Sequence, residues 1–145
     1  MNGQRQEGKL NVDVSTIIAQ DNPEKLVETA QQVIKDGTEV STSQIRNVFG
    51  PVRRIALEWP ENVQSDEERK RAERAYRQVV LLRPKLQYLA TRDKKLTDLA
   101  NLLEGCIVEI QKGRDLAERR LRFGRFVDFF EAILAYHTEK ARGGK

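Results

Sequence analysis

An all-α fold, a single-domain antiparallel helical bundle of about five helices, is what this sequence predicts, and three observations predict it. Apolar residues recur three and four apart through most of the chain, which lines them up on one face of a helix. Asn, Ser, Pro and Gly stand at the ends of those runs, where caps and stops belong. No alternating strand pair and no repeat of fixed period interrupts them, so helices joined by short loops are the economical architecture.

Residues 1–20 are polar apart from Leu10, Val12, Val14, Ile17 and Ile18. An extended segment or a short docking turn would fit them, and we read them as a flexible N-terminal arm. Asn22 as cap and Pro23 at the first helical position open a first helix over 23–36, with Leu26, Ala30, Val33 and Ile34 as its stripe and Gly37 as its end. Ser41, Thr42 or Ser43 caps a second. Its apolar positions Ile45, Val48, Phe49, Val52, Ile55, Ala56 and Trp59 keep phase across Gly50-Pro51, so Pro51 should bend the helix and Pro60 should stop it.

Ser65 followed by Asp66, Glu67 and Glu68 is a capping box with acids in the first turn. The third helix it opens turns Ala72, Ala75, Tyr76, Val79 and Leu82 inward and Lys70, Arg74 and Arg77 outward. Leu81 then falls on the polar side and Arg83 on the apolar side just before Pro84, which predicts a kink or phase slip at 81–84. Leu86, Leu89 and Ala90 resume the apolar face. After Thr91-Arg92-Asp93, a fourth helix carries Leu96, Leu99, Ala100, Leu103, Ile107 and Ile110 and closes at Gly113. The last helix has Phe123, Phe126, Val127, Phe130, Ile133 and Leu134 on one side, with Phe129 and Tyr136 widening the arc. A helix so nearly apolar all round belongs at the centre. The bundle domain is therefore expected over 21–141, with residues 142–145 a frayed tail.

The 145 residues suit one domain, and their 33% charged share means that much of each helix faces water or a charged partner. A single cysteine, Cys106, closes no disulfide within the chain, and one Cys with one His falls short of a metal site, so no metal and no cofactor is expected. No signal-length or membrane-length apolar run occurs, and a cytoplasmic protein with no membrane partner is expected. Charge is uneven: residues 1–40 hold four basic and seven acidic groups, whereas 41–145 hold 22 basic and 15 acidic. Sixteen of the 26 cations are Arg, whose planar fork suits phosphate. A polyanionic partner is the leading inference.

The motifs of common catalytic sites are missing: no phosphate loop, no paired His on a helix, and only the distant His137 as a base for Cys106. Cys106 reads as a small buried hydrophobe and His137 as a satisfied boundary residue, so no enzymatic role and no small-molecule substrate are expected. A hydrolase using either would lose turnover in His137→Ala. The cationic signal is stronger. Lys112, Arg114, Arg119, Arg120, Arg122 and Arg125 crowd the start of the last helix against only Asp115 and Glu118. A bound phosphate or neighbouring acids would satisfy them. Arg46 and Arg53 share a face with Arg54 further round, and Lys70, Arg74 and Arg77 make a second ridge. Such ridges contact a sugar–phosphate chain without reading its sequence. Phe49, Trp59 and Tyr76 sit on core stripes, so base stacking is not expected to dominate.

Three segments carry a family resemblance. The run Phe126-Val127-Asp128-Phe129-Phe130-Glu131-Ala132-Ile133-Leu134-Ala135-Tyr136-His137, the segment Thr42-Ser43-Gln44-Ile45-Arg46-Asn47 and the stretch Leu82-Arg83-Pro84-Lys85-Leu86-Gln87-Tyr88-Leu89-Ala90 resemble the small subunit of type III-A, or Csm, CRISPR effector complexes. The likeness implies a helical, non-catalytic subunit that stacks in more than one copy along backbone subunits holding guide RNA, beside the large polymerase-like subunit. It further implies contact with target RNA along the guide–target duplex in antiviral defence. Carried over, it touches Arg46, Arg83, Lys85 and Arg92. For Arg53, Arg54, Lys70, Arg74, Arg77, Arg119, Arg122 and Arg125 the expectation of RNA contact rests on charge alone. The competing reading is a helical adaptor whose basic faces dock acidic proteins, with no nucleic-acid role.

Overall fold

A computed structural model of the chain describes residues 12–35 and 39–143. Among these residues six α-helices follow one another: α1 (Val14–Ile18), α2 (Pro23–Lys35), α3 (Thr42–Glu58), α4 (Asp66–Arg92), α5 (Thr97–Gln111) and α6 (Leu116–Gly143), with a 3-10 turn at Lys94–Leu96 before α5. No strand occurs among the described residues, in keeping with the all-α expectation.

The caps are those the sequence offered. Asn22 Oδ1 accepts from the Lys25 N–H, and Ser41 closes a full capping box with Gln44. Ser65 Oγ accepts from the Glu68 N–H, while the Glu68 carboxylate reaches back to the Gln64 N–H. Each bond satisfies an amide that a helix start leaves without an internal partner.

α6 lies at the centre and packs against each of the other five helices. The neighbours around it run in the order α2, α1, α5, α4, α3, and α2 does not reach α3. Phe123, Phe126, Phe129, Phe130 and Ile133 are sealed from solvent, and a chain of rings runs from Tyr76 through Trp59, Phe123, Phe126 and Phe130 to Phe49. His137 continues this face as a satisfied buried residue. Its Nε2–H donates to the Val40 carbonyl, and its Nδ1 lies 3.1 Å from Thr42 Oγ1, which fastens the entry of α3 to α6.

Three features depart from the sequence reading. Val14–Ile18, read as part of a mobile arm, form a helix whose Ile17 and Ile18 are buried, so the docking turn is the reading the structure favours there. Residues 1–11 and Gly37 lie outside the described residues. Of the kink or phase slip expected at 81–84, the slip is absent: Ala72, Ala75, Val79, Leu82 and Leu86 are buried at an unbroken three-four spacing through Pro84. Leu81 simply faces solvent, and Arg83 reaches Glu104 and Gln111 of α5. The tail differs in part: α6 stays helical to Gly143, and residues 144–145 lie outside the described residues. One glycine has a packing role. A Cβ on Gly113 would stand 2.8 Å from Arg119 Cγ and 3.1 Å from its backbone nitrogen, so the tight α5–α6 turn requires its absence.

Candidate nucleic-acid interface

The cations divide into two populations. Most of the densest group in the sequence, at the start of α6, is half-buried and tied to partners within the molecule, whereas Lys112 and Arg114 are exposed and pair with Glu109 and Glu118. The Arg119 guanidinium lies 4.9 Å from the centre of the Tyr76 ring, and its Nε donates to the Gly113 carbonyl. Arg122 donates to the Glu109 carbonyl at 2.7 Å and to the Glu118 carboxylate at 2.7 Å; its side chain is only 12% exposed, with Nε buried and unpartnered. Arg125 donates to the Ile18 carbonyl, Arg120 to the carbonyls of Trp59 and Pro60, and Lys140 to the Ile34 carbonyl.

A common logic joins these bonds. Ile18, Ile34, Trp59 and Glu109 stand at or near the C-terminal ends of α1, α2, α3 and α5, where carbonyls lack helical partners and the peptide dipoles leave partial negative charge. Cations of the central helix answer that charge on four of its neighbours. Arg114 and Arg122 also grip Glu118 from two sides, at 2.9 and 2.7 Å. Hydrogen bonds from Arg114 and then Arg122 hold the Glu118 carboxyl down at about 2, against a usual 4.5. A carboxyl depressed by folding stabilises the fold above its unfolded value and loses that contribution as the pH falls towards the folded one. Urea midpoints of the wild-type chain should therefore fall more steeply between about pH 4.5 and 2 than those of Glu118→Gln. Equal slopes would show that the grip does not contribute.

The second population faces water. Opposite the buried stripe of α4, the positions 70, 74, 77, 81, 85, 88 and 92 share one outer face, occupied by Lys70, Arg74, Arg77, Leu81, Lys85, Tyr88 and Arg92. At about 1.5 Å per residue this stripe runs for roughly 33 Å. Lys70, Arg74, Arg77 and Lys85 are exposed and form no hydrogen bond or ion pair among the described residues. Arg92 bonds only to the Tyr88 hydroxyl, at 3.0 Å. Like charges three and four apart repel by a few tenths of a kcal/mol, a cost that an approaching polyanion would reverse.

α3 runs antiparallel beside α4, tied at one end by Gln44 Nε2 to Asp93 at 2.6 Å and at the other by Arg71 to the Glu58 carbonyl at 3.4 Å. Arg46 and Arg54 are exposed and unpartnered on it. Arg53 pairs with Glu131 of α6 at 3.5 Å, and both remain about half exposed, so the pair is worth at most about 1 kcal/mol. Arg83 is committed to Glu104 and Gln111. The structure therefore brings Lys70, Arg74, Arg77, Lys85 and Arg92 onto one stripe, sets Arg46 and Arg54 on the adjoining helix, and turns Arg83, Arg119, Arg122 and Arg125 to internal partners.

Sequence reasoning missed Tyr88, which shares the phase of Lys70 and Arg77 and could have been found from that phase alone. Cys106 is fully buried, and burial pushes its thiol up, away from the reactive thiolate. Both ring nitrogens of His137 are engaged. No cluster of His, Cys, Asp or Glu suited to a metal occurs among the described residues, and none of their helices is long and apolar enough to cross a membrane.

A family model described as Csm2 Type III-A matches residues 20–143, nearly the whole of the described chain. Neither curated proteins nor solved structures provide a match.

Proposed function

The chain belongs to the type III-A Csm2 family, a structural subunit of the type III-A CRISPR effector complex that assembles with the other Csm subunits, and on that premise we propose that it is a non-catalytic RNA-binding component. It contacts target RNA along the guide–target duplex through Lys and Arg that neutralise phosphates. The observation that carries this reading is the outer stripe of α4, where four cations without internal partners follow one another on a rigid helix. Arg46 and Arg54 on α3 are further cations without internal partners, and Arg92 completes the stripe at the C-terminal end of α4. Contacts of this kind are sequence-independent, as a subunit serving any guide requires.

One copy binds weakly, and several copies aligned beside one strand gain affinity because later contacts form at high effective concentration. Cutting belongs to other subunits in this reading, and the small subunit holds the strand in place for them. The location that follows is the cytoplasm, with guide RNA, backbone subunits, the large polymerase-like subunit and further copies of this chain as partners.

Binding isotherms of the purified chain with a single-stranded RNA over a salt series test the proposal. Log affinity should fall linearly with log salt, by about 0.7 per phosphate neutralised. A salt-insensitive interaction, or RNA-independent binding to acidic proteins alone, would instead favour an adaptor.

A further inference from the structure

Tyr88 is the one aromatic side chain among the described residues that is mostly exposed, at 60%. Every Phe and the single Trp are buried, and Tyr76 and Tyr136 pack against the core. Tyr88 occupies the same outer face of α4 as the unpartnered cations, three residues after Lys85 and four before Arg92. The Arg92 guanidinium lies 5.6 Å from the centre of its ring and donates to its hydroxyl, which holds a planar cation beside the aromatic surface. Leu81, 43% exposed, stands seven residues earlier on the same face. Beyond that local pair the helix gains little from a Tyr here: it fills no core space, and aromatic residues rank below Lys, Glu and Ala in helix propensity.

An exposed ring flanked by cations on a surface of this kind has a specific complement. Phosphates satisfy Lys85, Arg77 and Arg92, but only a base offers a flat apolar partner for the ring, and only an unpaired base can leave its own stack to reach it. We propose that Tyr88, steadied by Arg92, stacks on an unpaired base of the RNA strand, so that the C-terminal half of the α4 ridge takes single-stranded or splayed-out nucleotides while Lys70, Arg74 and Arg77 hold phosphates. This rests on the RNA-binding reading and adds a contact whose strength does not depend on salt.

The test uses the full-length chain and three labelled probes: an unstructured RNA strand, the same strand carrying abasic sites, and the corresponding RNA duplex. Wild-type protein should prefer the intact strand over the other two. Tyr88→Ala should bind that strand about tenfold more weakly. It should lose little on the abasic strand and keep the wild-type salt slope, while Tyr88→Phe should restore the preference. If Tyr88→Ala discriminates intact from abasic RNA as well as wild type does, the stacking contact is wrong while phosphate binding stands. Equal loss on all three probes would also overturn it, since that pattern marks a general surface change. Should Arg74→Ala with Arg77→Ala leave affinity and salt slope unchanged, the phosphate reading fails, and a Tyr88 effect confined to intact RNA would then stand alone. Loss of protein partners with RNA affinity intact would reassign Tyr88 to protein docking.

Discussion

Replacing Lys70, Arg74, Arg77 and Lys85 together by Ala is expected to weaken binding to single-stranded RNA by several hundredfold at about 0.1 M salt. The same variant should make the dependence of log affinity on log salt shallower by about 2.8. Both figures follow from the release of condensed counterions, to which each phosphate contact contributes separately. The fold should be untouched, because none of the four side chains has an internal partner and Ala is the best helix former. Circular dichroism of the variant should therefore match wild type, with an equal or higher melting temperature as the like-charge repulsion disappears. An unchanged salt slope would remove these four side chains of α4 from the interface and turn the question to other exposed cations without partners, such as Arg46 and Arg54 of α3. Arg119 and Arg122 are unsuitable probes for the same question. Their removal strips partners from Gly113, Glu109 and Glu118, so any lost affinity would be mixed with lost stability.

Phe130→Ala should be among the most destabilising single substitutions in the chain. Phe130 is completely buried, with its ring centre 5.0 Å from that of Phe49 and 6.1 Å from that of Phe126, so it joins α3 to the middle of α6. Truncating a ring at such a site costs about 3–5 kcal/mol, from lost transfer energy together with the cavity left behind. For a chain of this length the melting temperature should drop by roughly 10–15 °C. Thermal and urea unfolding followed at a helical wavelength would measure it. Phe130→Leu, which keeps most of the volume, should recover more than half of the loss. A cost below about 1 kcal/mol would contradict a sealed centre around α6, because a ring with solvent on one side leaves no cavity.

Much of this was legible before any coordinates. Asn22, Ser65 and the Ser41-Thr42-Ser43 run announced their helices because capping is a local matter: the acceptor and the amide it serves are three residues apart. The apolar arc of Phe123 to Ile133 identified the central helix for a similar reason, since a helix with little polar surface has nowhere else to go. Pro51 sits inside its helix as the spacing required, but Pro84 was harder. Both lie inside continuous helices, and the buried faces of α3 and α4 keep their phase across them. Packing against the neighbours outweighs one missing backbone bond in each. The short helix α1 escaped notice because five residues give too little periodicity to distinguish a docked turn from an arm.

What the chain determined by itself, then, is most of its helices, their buried faces, and the outer ridge of Lys70, Arg74 and Arg77, because each depends on spacing within one segment; the continuation of that ridge to Lys85 and Arg92 needed a helix unbroken through Pro84. Tertiary structure alone decided which cations remain free. The Arg-rich start of α6 looked like the strongest phosphate site, yet its guanidiniums meet carbonyls 107, 60 and 13 residues away, at Ile18, Pro60 and Glu109. A charge is visible in a sequence, but the backbone carbonyl that neutralises it is common to every residue. Only the folded arrangement selects which carbonyls come within reach.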